Sequence, residues 1–164
     1  MYWLPLLVFI PHMVEEYPHF PAWATRHFGA TSNAWYVYSH IGLVAIVLGI
    51  CPWAQNAPPQ TWGPLLGTAL MWTLAFNALF HVVTTVLFRE YSPGVVTGVL
   101  LFFPASGYVF LETVQSELLT TEQIAVAVVI AAVVQVAVVA SLYLHMDIDW
   151  RLRAHSSDRE HRIR

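Results

Sequence analysis

Glu122–His145 reads EQIAVAVVIAAVVQVAVVASLYLH, and Glu122 is its only Asp, Glu, Lys or Arg. The Val-rich middle would favour a strand in water. Its unbroken apolar length favours a helix. A segment crossing lipid must satisfy its own backbone polar groups, and about 20 apolar residues reach across the hydrocarbon core. This stretch is therefore read as a membrane-spanning helix, and the rest of the chain is read on the same terms.

Four more candidates precede it. They run over residues 2–17, 33–53, 63–88 and 93–114. The first is short and carries His12, Glu15 and Glu16; it lacks the basic start and small-residue cleavage site of a signal peptide. Thr31, Ser32 and Asn33 are cap candidates for the second. Residues 18–29, with Pro18, Pro21, Trp23, Arg26 and His27, read as an interfacial loop or short surface helix. The expected fold is an all-α, polytopic transmembrane bundle of five helices over residues 1–149, followed by a polar, Arg-rich tail over 150–164.

Composition agrees. Of 164 residues, 57% are hydrophobic and 10% charged, with a mean hydropathy of +0.58. A soluble domain of this size cannot hide so much apolar surface, and a net charge of −3 argues against nucleic acid. The single cysteine, Cys51, excludes an internal disulfide, and the absence of lysine excludes Schiff-base chemistry and a P-loop. Cationic residues set the orientation. Arg26, Arg89, Arg151, Arg153, Arg159, Arg162 and Arg164 all fall on one side of a five-span chain. The positive-inside rule makes that side cytoplasmic and puts the N-terminus outside.

Ionisable groups at membrane depth cost several kcal/mol, roughly 2.5–3.5 on insertion scales, so each is a functional candidate. Counting from each span's inner end at ~1.5 Å per residue brings several to one level. His12, Glu15 and Glu16 end the first span; His40 lies about two turns into the second; His81 and Asn77 lie at matching depth in the third. Tyr91 follows that span, and His145, Asp147 and Asp149 end the fifth. Glu112 lies at the opposite end and is read as a separate interfacial carboxylate. His12 with Glu15 and Glu16, and Asn77 with His81, share helix faces by their three- and four-residue spacing. Imidazole and carboxylate together suit Zn, Fe or Mn.

The stretches His12-Met13-Val14-Glu15-Glu16, Asn77-Ala78-Leu79-Phe80-His81 and Tyr91-Ser92-Pro93-Gly94 resemble those of the HXXEE family of small integral membrane proteins. The resemblance runs from the first span into the fourth. It implies a polytopic membrane protein of unsettled function whose shared residues are His12, Glu15, Glu16, Asn77, His81, Tyr91, Pro93 and Gly94. His40 and His145 rest on depth alone.

The expected function is a membrane-embedded enzyme acting on a lipid or other hydrophobic small molecule at the cytoplasmic leaflet, by hydrolysis, isomerisation or oxidation. Its candidate metal ligands are His12, Glu15, Glu16, His81, Asn77 and His40. Its candidate catalytic groups are Glu15, Glu16, His81 and Tyr91. The alternative is a non-catalytic protein that binds metal or haem, transports, or serves as an accessory subunit. The spacings Gly63-x-x-x-Gly67 and Gly94-x-x-x-Gly98 permit close helix packing, inside the bundle or in a homo-oligomer. The expected location is a prokaryotic cell membrane.

Overall fold

The computed structural model describes residues 1–143 and, beyond them, the helical backbone of residues 144–162. Six helices carry the fold and no strand occurs among the described residues. Helix α1 spans Leu4–Glu16 and starts with Pro5 in its first turn, where the missing N–H is no loss. Helix α2, Phe20–His27, is short and ends on Arg26 and His27, favourably placed at the negative end of its dipole. Helix α3, Asn33–Asn56, is capped by Ser32, whose side chain accepts from the Trp35 N–H. Helix α4, Trp62–Phe88, stops where Arg89 turns left-handed. Helix α5, Val95–Gln115, contains a π-turn over Gly98–Phe102. Helix α6, Thr121–Arg162, opens on a capping box: the Thr120 N–H donates to Gln123 Oε1, and the Gln123 N–H donates to Thr120 Oγ1.

Helices α3, α4, α5 and the first part of α6, through Tyr143, are long and apolar enough to cross a membrane. Helix α1 is not. Its 13 residues rise only ~20 Å against a ~30 Å hydrocarbon core. The short stretch read as a first span is therefore a shorter helix tucked into the bundle. The surface segment at 18–29 resolves into α2.

Helix α4 is the spine, packing on α1, α3, α5 and α6. Its buried face meets Val8, Phe9, Phe102 and Val109 around Met71, Leu74 and Ala78. Outward faces are apolar too; Val133, for example, is 63% exposed. That surface suits acyl chains rather than water. Helices α3 and α6 both lie on α4 but scarcely touch each other among the described residues, which leaves a cleft between them.

Element ends sort to two ends of the bundle. At one, the N-terminal amine and the Tyr2 N–H donate to Gln55 Oε1, and Gln123 donates to the Gln60 carbonyl. At the other, Glu90 binds Arg26 and His27, tying α2 to the turn after α4. Both glycine spacings serve internal packing. A Cβ at Gly63 would meet Ala57, one at Gly67 would meet Tyr2 and Ala54, and one at Gly98 would meet Ala78.

Candidate functional site

The last turn of α1 places His12 and Glu16 on the face that points into the bundle, one turn apart. Both are almost fully buried, as is His81 from α4. Glu16 Oε1 lies 3.4 Å from His12 Nε2 and 3.1 Å from His81 Nε2. Its other oxygen lies 3.3 Å from His40 Nε2 and accepts a 3.1 Å hydrogen bond from the Tyr36 hydroxyl. One carboxylate from α1 thus meets three imidazoles from α1, α3 and α4.

The far nitrogen of each ring decides what faces the carboxylate. His40 Nδ1 lies 2.8 Å from the Tyr36 carbonyl, which can only accept, so that nitrogen carries the proton. His12 Nδ1 lies 2.8 Å from Thr97 Oγ1. The Thr97 proton goes to Glu15 Oε2, itself an acceptor, so Thr97 accepts from His12. His81 Nδ1 lies 3.0 Å from Ser92 Oγ. Thr84, beside Ser92, has one proton and a close acceptor in the Phe80 carbonyl at 2.8 Å. Thr84 also donates to Ser92 Oγ at 3.1 Å, so the serine proton is free to go to His81 Nδ1. His12 and His40 thus aim Nε2 lone pairs at the Glu16 carboxylate. The His12 and His81 Nε2 atoms make no hydrogen bond. Lone pairs facing a carboxylate repel each other until a cation or proton lies between them.

The separations fit a metal. Two ligands, each about 2.05 Å from a tetrahedral zinc ion, stand about 3.3 Å apart; the observed 3.1 and 3.4 Å bracket that. His12, Glu16 and His81 each offer one ligand atom within 4.8 Å of the others. Two imidazoles and a carboxylate, each with a fixing partner behind it, form a set that leaves a fourth position open. The arrangement does not suit haem: the His12 and His81 ring centres are 5.2 Å apart and Glu16 stands between them, leaving no plane for a macrocycle.

Packing holds the rings. Phe102, completely buried at the end of the π-turn, lies 4.4 Å from the His12 ring centre. Tyr36 stacks on His40 at 3.9 Å. Gly94, with φ of +104°, brings bare backbone against both rings; a Cβ there would come within 2.7 Å of His12 and 3.0 Å of His81.

Several expected site residues fall elsewhere. Glu15 turns away from the cluster. Its oxygens accept from the N–H groups of Gly94, Val96 and Thr97 and from the hydroxyls of Tyr91 and Thr97, which leaves no room for a metal. It caps α5. Tyr91 is committed to Glu15 and does not reach the cluster; burial first, and the Glu15 carboxylate second, raise its phenol to about 12. His40 binds the Glu16 oxygen remote from His12 and His81, so it adjoins the three-residue cluster from outside. Asn77 is not in the cluster either, but borders a cavity of about 290 Å³ that His12, Glu16 and His40 also line. Glu112 accepts from Ser116 at the other end of the bundle. The side chains of His145, Asp147 and Asp149 lie outside the described residues. Tyr36, Ser92 and Thr97 were missed as partners. The signal for Tyr36 was its spacing of four from His40; nothing local marked Thr97.

Fold and site together define a small all-helical protein with four helices long and apolar enough to cross a membrane and a buried His/Glu cluster among its helices. The chain belongs to the HXXEE family: the family model described as "Protein of unknown function with HXXEE motif" matches residues 3–109. It is similar to the uncharacterized protein YrkK of Bacillus subtilis (strain 168), with 25% identity over 72 residues, 43% of this chain and 46% of that one. The matched region thus spans less than half of that relative's length. No solved structure matches.

Proposed function

We propose that this chain is a membrane-embedded enzyme in which His12, Glu16 and His81 hold a divalent metal ion (Zn, Fe or Mn) that acts on a hydrophobic substrate drawn from the bilayer. The carrying observation is the convergence of the His12, His40 and His81 Nε2 atoms on one buried carboxylate, with each Nδ1 held behind. When bound, such an ion supplies Lewis acidity or an activated water. The chain's own groups do the rest. Glu16 and His12 border the cavity, so a substrate held there would lie beside two of the residues that would hold the ion. His40, also on that wall, keeps Nε2 unprotonated and can accept a substrate proton. Hydrolysis and isomerisation both use that pairing.

The topology belongs to the same proposal. Helix α1, though short, leads from the N-terminal amine at Gln55 to Glu16 at His40 and His81, so with the four long helices it makes five, the N-terminus is outside, and Arg26 and Arg89 mark the cytoplasmic end where the cluster lies. The bacterial relative supports a prokaryotic cell membrane.

The test is elemental analysis of detergent-purified protein beside Glu16→Gln. Wild type should carry about one ion per chain, and the variant should lose it while keeping its helical circular-dichroism spectrum. A metal-free wild type that takes up no added zinc would refute the reading.

A further inference from the structure

Beyond the metal ligands, the amide side chains of Asn77 and Gln135 line the 290 Å³ cavity, and Asn77 Oδ1 and Gln135 Nε2 have nothing to bond. Gln135 is only 8% exposed, and no other polar residue occurs between Gln123 and Ser141. Its amide is turned inward from an Ala/Val helix. Leaving such atoms unpaired is costly, so a cavity that keeps both calls for a guest that bonds them. Amide oxygen and nitrogen can exchange places by a flip. A hydroxyl, which both donates and accepts, satisfies either orientation.

The rest of the lining narrows the guest. It includes no arginine, and the Glu16 carboxylate borders it; its other polar groups are the rings of His12 and His40, the hydroxyls of Ser39 and Ser141 and the two amides, an uncharged hydrogen-bonding set that suits a neutral polar head. The walls from α3 and α6 are mostly apolar, with Leu43, Ile46, Val138, Val139 and Leu142 beside Ser39 and Ser141. The volume equals roughly ten water molecules at ~30 Å³ each, room for a polar head and a few carbons. A longer tail can leave through the cleft, since the α3 and α6 backbones stay apart among the described residues.

We infer that the cavity binds a neutral long-chain alcohol, its hydroxyl held by Asn77 and Gln135 and its chain leaving between α3 and α6. This names the substrate class of the centre proposed above and rests on that reading. The hydroxyl then lies in the chamber that Glu16 and His40 face.

The test uses the full chain in phosphatidylcholine nanodiscs and a dodecanol carrying a diazirine on its chain. Photolysis should label the walls around residues 42–46 and 138–142. Unlabelled dodecanol should compete at least about tenfold better than dodecyl phosphate or dodecane. Gln135→Leu should weaken competition by dodecanol about tenfold while metal content stays at the wild-type level. Asn77→Leu serves as a second variant should the first fail to fold. Labelling no higher than on the lipid-facing surface, with the amides met by water alone, would overturn the inference; so would equal competition by the phosphate, or indifference to both variants. Metal content, measured on the same samples, reports separately on the centre. Specific labelling without metal overturns the metal reading alone; metal without specific labelling overturns this one.

Discussion

Gly94→Ala tests whether the cluster depends on bare backbone beneath two histidines. The native φ of +104° is one an alanine rarely adopts, and holding it there costs on the order of 1–3 kcal/mol. The new Cβ would also stand 2.7 Å from His12 Cε1 and 3.0 Å from His81 Cε1 and Nε2. Both rings are buried, His12 under Phe102 and His81 within α4, so neither retreats freely. Overpacking of this kind costs about 1–3 kcal/mol more. The expected loss is about 2–6 kcal/mol, together with loss of metal, because the rings can yield only by moving their Nε2 atoms off Glu16. The assay is thermal unfolding and metal content in detergent, with Gly107→Ala as control, where a Cβ meets nothing within 4 Å. If Gly94→Ala kept wild-type melting and full metal occupancy, the reasoning about that contact would be wrong.

Thr97→Val removes the hydroxyl that holds His12 Nδ1 while keeping the side chain's size; zinc affinity measured by chelator competition should fall about 10–100-fold. Glu15→Gln sets an amide nitrogen against donors on Gly94, Val96 and Thr97. It should lower stability by about 1–3 kcal/mol in thermal melts yet leave metal stoichiometry intact, and metal loss without destabilisation would instead make Glu15 a ligand. Tyr91 has its pKa raised to about 12, so folding favours the neutral phenol. Its contribution should be complete below pH 10 and vanish as pH rises toward 12. The melting difference between wild type and Tyr91→Phe should therefore shrink over that window.

Much of this was legible in the residues themselves. Uninterrupted apolar length made the chain all-α, because only internally bonded backbone survives in lipid. The spacing of four put His12 and Glu16 on one face, and depth counting brought His40 and His81 to their level. What local pattern could not decide was which face of α1 turned inward. Glu15 and Glu16 are neighbours in sequence but about 100° apart around the helix. Packing on α4 sends one into the cluster and the other to the start of α5, where it caps rather than binds.

The sequence by itself determined the helices, their apolar faces and the motif residues, since these follow from composition and period. Only the tertiary structure decided that α1 is too short to count by length as a span, that Thr97, Ser92 and Tyr36 anchor the three rings, and that Gln135 faces a cavity. The Thr97 anchor shows why: 85 positions separate it from His12. No local period encodes contacts of that kind.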